Sequence, residues 1–354
     1  MNPVLKIDST IILHNLSELK KLTKKYGIEM SVVTKGLVGY EPLVRLLVEN
    51  GADSICEAHI QNLIKFKDLP AEKWMIRSPL LSEVPDVVRY ADVSVVSEKT
   101  VIEKLSSEAV KQNRKHKAVI MVELGELREG CMPDEILPLA ETCLSLPGIE
   151  LYGIGANLSC VNEIIPDEKN MTVLSDAAHD IERTFDVKLP VVSGGSTSTV
   201  RMLEEGRLPE RINHLRFGEA VLFGTIACYD VPFIGARTGA FTLSAEVIEI
   251  KEKPSVPWGE RVPAVLPVAS DPAYKDQGLR KRALIAVGKQ DIRSEYMIPL
   301  DQNLKIIGDT CDCLIADVTA SDKEYKPGDT VSFFILYHGL VTAIASDFVD
   351  KALV

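Results

Sequence analysis

Between Met30 and Phe217 the chain repeats one pattern eight times: a short β-branched or apolar run, then a stretch with helical spacing. The runs fall at 30–34, 53–56, 74–76, 93–96, 118–123, 151–156, 190–192 and 214–217. Parallel neighbours need a crossover connection, so regular strand–helix alternation implies a parallel sheet. Eight units fit an α/β fold of the TIM type, a closed (β/α)8 barrel; a doubly wound open sheet would give a similar pattern. One earlier strand near 5–7 precedes a helix that Ser9 or Thr10 can cap.

After Thr225 the helical spacing fades and β-rich runs take over, at 241–250, 282–287, 304–307, 314–318, 330–336 and 340–345. Turn signals separate them, notably Lys253-Pro254-Ser255 and Lys326-Pro327-Gly328-Asp329. The expected organisation is a barrel over 8–225 followed by a C-terminal antiparallel β domain over 226–354, with the strand in 1–7 joining the second.

The 354 residues carry 40 Lys and Arg against 51 Asp and Glu, a net charge of −11. That balance argues against nucleic acid or an anionic membrane surface as the main partner, since both require basic patches. No apolar run reaches the length that spans a bilayer, and charges with His14 and Asn15 interrupt the only apolar stretch near the N-terminus. Seven scattered cysteines in a long chain indicate reduced thiols and a cytoplasmic location.

In a barrel, chemistry gathers where the strands end at the C-terminal face. The first run ends on Lys35, the sixth on Ala156-Asn157, the seventh enters Ser193-Gly194-Gly195-Ser196-Thr197, and the eighth is Leu215-Arg216-Phe217-Gly218-Glu219. A Ser/Gly loop at a helix start offers amides and hydroxyls to a phosphate. Arg216 at a strand end needs an acceptor, from a ligand or from within the barrel. A phosphate site and a lysine amine in one barrel mouth suit pyridoxal 5'-phosphate, whose aldehyde takes a lysine as a Schiff base. Aldolases that form a Schiff base directly with substrate fit the same two features.

Longer phrases resemble a known family, the fold-type III pyridoxal-phosphate enzymes of the alanine racemase superfamily. Val32-Val33-Thr34-Lys35 is similar to its cofactor-lysine segment, Leu127-Arg128-Glu129-Gly130 to its Met-x-Arg-x-Gly loop, and Leu215-Arg216-Phe217-Gly218 to its Val-Arg-Phe/Ile-Gly motif. Asp312-Cys313-Leu314-Ile315-Ala316-Asp317 resembles a segment of its second domain. Within the superfamily the likeness is nearest to the bacterial ornithine racemases, through 120–130, Val192-Ser193-Gly194-Gly195 and 278–291.

The resemblance implies a racemase that removes and returns the Cα proton of L- and D-ornithine. Other amino acids (alanine, lysine), a non-catalytic cofactor carrier, and a decarboxylase or lyase stand as alternatives. By that resemblance Lys35 holds the cofactor and acts as base, and Arg216 faces the pyridine nitrogen. Asn157 lies against the ring, and Ser196, Thr197, Gly218 and Glu219 take the phosphate, with Tyr337 adding a hydroxyl. Arg128 and Asp312 would meet substrate, and Glu126, Glu129 or second-domain aspartates would receive a distal ammonium. A head-to-tail homodimer with shared sites is also implied. The family's opposite-face tyrosine is absent, because the matching stretch reads Gly288-Lys289-Gln290-Asp291; Lys289 is the residue expected to replace it. Cys311 and Cys313, placed on one face by strand alternation, lack a neighbouring histidine, and no metal is expected.

Overall fold

The computed structural model describes residues 2–226, 228–260 and 276–354. Two compact units divide the chain: Asp8–Ala240, and Met1–Ile7 together with Phe241–Val354.

In the first unit, eight parallel strands close into a barrel: β2 (Glu29–Val33), β3 (Ser54–Glu57), β4 (Glu72–Met75), β5 (Val93–Val96), β6 (His116–Met121), β7 (Ile149–Gly155), β8 (Val191–Ser193) and β9 (His214–Phe217). Parallel strands covered on both faces read as continuous apolar runs, and every residue of β5 and β9 is buried. Helices cover the outside: α1 (Ser9–Lys25), α2 (Glu41–Glu49), α3 (Ile60–Lys65), α4 (Val84–Tyr90), α5 (Lys99–Lys111), α6 (Ile136–Ser145), α7 (Glu168–Phe185), α8 (Val200–Glu204) and α9 (Glu219–Phe223). Asp8, not Ser9 or Thr10, caps α1, its carboxylate accepting from the Thr10 and Ile11 amides. One core cluster inside this unit joins Val33, Cys56, Trp74, Val93, Val119 and Val191.

The units part at Ala240, later than the boundary at 225 that the loss of helical spacing suggested. The intervening residues belong with the barrel for a physical reason. Strands β10 (Thr225–Ile226) and β11 (Val231–Pro232) form a small ribbon. The fully buried Asn15 of α1 then accepts from the Arg237 amide at 2.8 Å and donates to the Arg237 carbonyl at 2.9 Å.

The second unit is an eight-stranded sheet built on the long β12 (Phe241–Pro254). The first half of β12 pairs with β1 (Val4–Ile7) and β17 (Thr330–Ile335), and its second half with β13 (Leu279–Ile285). The sheet continues through β14 (Met297–Pro299), β15 (Lys305–Asp309), β16 (Leu314–Asp317) and β18 (Asp350–Leu353). All described pairings are antiparallel except β1 with β18.

Two expectations change here. Residues 340–345 are helical, within α10 (Tyr337–Ala345). Their β-branched composition favours a strand, but Gly339, Leu340, Ala343 and Ile344 are the buried set, and that is helical spacing. Cys311 and Cys313 sit in the turn between β15 and β16, where the Thr310 amide donates to the Cys313 carbonyl at 2.8 Å. Strand alternation therefore does not apply to them. All seven cysteines are free, and among the described residues no group of three metal-binding side chains forms. No described helix is long and apolar enough to cross a membrane.

Candidate active site

Barrel closure makes β7, β8, β9 and β2 consecutive neighbours. In register, Gly155 lies beside Ser193, Ser193 beside His214, and Arg216 beside Ser31. The exits of these four strands carry Asn157, Ser196 and Thr197, Gly218 and Glu219, and Lys35. The geometry brings these sequence-predicted residues to one mouth of the barrel.

Lys35 opens a single 3-10 turn directly after β2. The residue before it, Thr34, is buried, and its hydroxyl donates to the Cys56 carbonyl at 3.2 Å. Leu37, at the end of the turn, is fully buried. The lysine is thus fixed at its base, while its side chain is exposed and has no hydrogen bond or ion pair among the described residues.

Arg216 is 2 % exposed. Its Nη2 donates to the Ala156 carbonyl at 2.9 Å and to Asn157 Oδ1 at 2.5 Å, while Nη1 donates to Ser193 Oγ. Burial pushes its pKa below the usual guanidinium range. The Nε–H and the second Nη1–H have no acceptor among the described residues, which leaves two donors of a buried cation unspent. Gly155 makes room for the group: a Cβ there would stand 3.5 Å from Arg216 Nη1 and 3.1 Å from Ser193 Cβ.

Asn157 links two arginines. Its amide donates to Glu129, whose carboxylate is gripped by both Nε and Nη2 of Arg128. Burial raises the Glu129 pKa, but the Arg128 and Asn157 contacts outweigh it and the net shift is downward. Arg128 therefore spends most of its fork on Glu129, which the sequence alone did not reveal.

Glu126 has a different role from the ammonium receptor expected of it. The residue is 2 % exposed, and its carboxylate accepts from the amides of Ser159 at 2.9 Å, Cys160 at 2.7 Å, Val161, and Asn162 at 3.0 Å. It clamps the loop that follows Asn157. Arg77, near the end of β4, is likewise structural: its Nε donates to the Ala58 carbonyl and its Nη2 to Glu83, both at 2.8 Å.

On the phosphate side, the Ala220 amide at the start of α9 donates to Thr197 Oγ1 at 3.3 Å, joining the loops after β8 and β9. Gly218 packs on β2, since a Cβ there would lie 3.2 Å from Val33 Cβ. Ser196 is half-buried, with its hydroxyl 3.5 Å from that of Ser198. Glu219 accepts from Thr225 Oγ1 at 2.8 Å. Its amide begins α9, and amides in a first helical turn lack intrahelical acceptors.

The other three predicted residues belong to the second unit. Lys289 pairs with Asp309 at 3.3 Å, and its backbone amide donates to the Thr310 carbonyl at 2.9 Å. Asp312, exposed, accepts from Thr310 Oγ1 at 2.8 Å, and its backbone abuts Gly288, so the turns bearing Lys289 and Asp312 lie together. Tyr337 is half-buried at the first position of α10, with its ring edge-on to His338.

The sequence profile described as alanine racemase, N-terminal domain, matches residues 7–225. The chain belongs to the alanine racemase family. An ornithine racemase from Acetoanaerobium sticklandii is 38% identical over 354 residues, covering 100% of both chains. A lysine racemase from Thermotoga maritima is 33% identical over 99% of this chain and 98% of its own. Among solved structures, the alanine racemase from Bartonella henselae with covalently bound pyridoxal phosphate matches with a TM-score of 0.76 at 17% identity, covering 100% of each chain. For this family member the barrel with its following β domain is the shared fold.

Proposed function

We propose that this chain, a pyridoxal-phosphate-dependent amino-acid racemase, interconverts L- and D-ornithine. The full-length likeness to an ornithine racemase carries the choice of substrate. The residues of the barrel mouth fit the cofactor: an exposed amine on a fixed base, a buried arginine with unspent donors, and two loops joined by Thr197 and Ala220. When bound, pyridoxal phosphate supplies an electron sink that acidifies the substrate Cα–H.

In this reading Lys35 Nζ holds the cofactor and then takes or returns the proton on one face of the Cα. Arg216 donates to the ring nitrogen. A guanidinium keeps its protons at neutral pH, so Arg216 would offer that nitrogen a hydrogen bond without giving up a proton, and a weaker electron sink would favour proton return over side reactions. Thr197, Ser196 and the amides of Gly218 and Glu219 take the phosphate, with Tyr337 adding its hydroxyl. Asn157, held by Arg216 on one side and Glu129 on the other, would lie against the ring.

On the opposite face Lys289 replaces the family's tyrosine. Its contact with Asp309 holds it in place to deliver or take the proton on that face. Arg128 retains Nη1 for the substrate carboxylate, and Asp312 meets the substrate's distal end. The reading includes a homodimer in which the second unit of one subunit completes its partner's site, and a cytoplasmic location consistent with seven free thiols.

The test is Cα proton exchange in heavy water, followed by NMR on cofactor-loaded protein with a panel of L-amino acids. Washout fastest on ornithine, with both enantiomers appearing, is the expected result; Lys35→Ala should abolish it. Washout confined to alanine would refute the substrate, and normal turnover in Lys35→Ala would refute the mechanism.

A further inference from the structure

Behind Arg216 a chain of buried polar groups runs through the barrel interior. Arg216 Nη1 donates to Ser193 Oγ, which lies 2.9 Å from His214 Nδ1. On the far side of the imidazole, Nε2 lies 2.8 Å from Ser31 Oγ. Ser31 Oγ is 2.6 Å from Ser54 Oγ, which donates to the Met30 carbonyl at 3.4 Å. Ser193 and Ser31 are fully buried and His214 is 3 % exposed. The imidazole is held flat against the Trp74 ring, 4.7 Å between centroids and 10° between planes.

The protons of this chain can be assigned from its ends. Arginine can only donate and a carbonyl can only accept. With the imidazole proton on Nε2, every member donates once: Arg216 to Ser193, Ser193 to Nδ1, Nε2–H to Ser31, Ser31 to Ser54, Ser54 to the carbonyl. With the proton on Nδ1, Ser193 would accept from both sides and its own proton would have no acceptor among the described residues. A buried hydroxyl left without a partner is costly, so the first assignment stands.

We propose that His214 is a positioning residue: in its Nε2–H tautomer it accepts from Ser193 and so fixes the hydroxyl that orients Arg216 towards the cofactor's ring nitrogen. Nothing in the strand pattern marks His214 for this task, because its partner Ser31 is far away in sequence and meets it only through closure of β9 on β2. Burial, with the charge of Arg216 added, pushes the imidazole pKa down to about 3, so it holds an acceptor lone pair throughout the neutral range. The proposal rests on the reading of Arg216 as the residue that faces the ring nitrogen.

The experiment compares holoenzymes by the visible absorption of bound pyridoxal phosphate and by its dissociation constant. Wild type, Arg216→Ala, Ser193→Ala, His214→Leu, His214→Asn and the Ser193→Ala/His214→Leu pair are needed. Arg216→Ala should shift the spectrum. Ser193→Ala and His214→Leu should shift it in the same direction and weaken cofactor binding about tenfold, the middle of the coupling range for contacting residues. The pair should lose no more than either alone, and His214→Asn, which keeps an oxygen near the Nδ1 position, should recover most of the loss.

A shifted Arg216→Ala spectrum with Ser193→Ala at wild-type values would overturn the proposal alone. An unshifted Arg216→Ala spectrum would remove the reading beneath it, and the proposal with it. Should His214→Leu fail to fold, ¹⁵N imidazole spectra of the wild-type holoenzyme decide the matter: a proton on Nε2 supports the assignment, and a proton on Nδ1 overturns it.

Discussion

Replacing Glu126 with glutamine should loosen the loop after β7 without unfolding the barrel. The carboxylate accepts four backbone amides, three on Oε1 and one on Oε2. Glutamine keeps one oxygen; its amide group then faces the Ser159 N–H, and that bond is lost. Hydrogen bonds to a charged acceptor contribute about 1.5–3 kcal/mol each and neutral ones about 1 kcal/mol, so one loss and three weakenings sum to roughly 5 kcal/mol. Residues 160–163 are exposed, so the released amides regain water and the local cost falls to about 2–3 kcal/mol. Opening in the variant should then expose the amides of 159–162 to exchange roughly 30- to 150-fold faster, with the α7 amides as an internal reference. The measurement is hydrogen–deuterium exchange on the two holoenzymes. Protection at 159–162 within about threefold of wild type would refute the clamp, since a tenfold change corresponds to about 1.4 kcal/mol. The same device has a pH sense. Burial raises the Glu126 pKa, the four amides outweigh it, and the net shift is downward. The clamp is therefore intact above the ordinary carboxylate pKa and is lost as pH falls through the lowered folded value.

Other expectations follow from burial and close packing. Burial holds the His214 and His116 imidazoles down to about 3 and about 4, against an unfolded value of 6.5. The unfolded chain therefore takes up protons first, and stability should drop by about 2.5 kcal/mol between pH 7 and pH 5.5; equal urea midpoints at the two pH values would contradict this. Gly155→Ala should cost roughly 1–2 kcal/mol of stability and weaken cofactor binding, because its Cβ would crowd Ser193, whose hydroxyl accepts from Arg216; an unchanged melting point and cofactor affinity would show that Ser193 can yield. Asp312→Asn should raise KM for ornithine about tenfold while leaving alanine exchange unchanged, and equal effects on both substrates would remove Asp312 from side-chain recognition.

The barrel was legible because its strands are local events. Val93–Val96 announces itself through β-branched composition and His214–Phe217 through its place as the last unit of the repeat, and helical spacing between the runs leaves parallel pairing as the consistent arrangement. The helix at Tyr337–Ala345 was not legible, because Val341, Thr342 and Ile344 favour a strand when taken alone and only tertiary burial selects the helix. Lys35 and the buried Arg216 could be found from their strand-end positions. Their supports could not: Glu126 reaches across more than thirty residues to its loop, and Arg128 turns to its own neighbour Glu129. Lys289 meets Asp309 because backbone bonds join the loop after β13 to the β15–β16 turn, which no local periodicity encodes.

The pairing of β1 with β12 and β18 has a consequence for how the chain is made. Residues 4–7 are made long before the strands they pair with, since their antiparallel partners begin at Phe241 and their parallel partners at Asp350. At roughly 5–20 residues per second, the first of those partners follows by about 10–50 s. During that interval Asp8–Ala240, with its own closed sheet, can assemble, while Leu5 and Ile7, fully buried in the finished protein, lack the strands they pair with. The β1 segment is thus an apolar strand kept waiting for the rest of its sheet, and crowding it during synthesis would fall on the β sheet, not on the barrel that follows it in sequence.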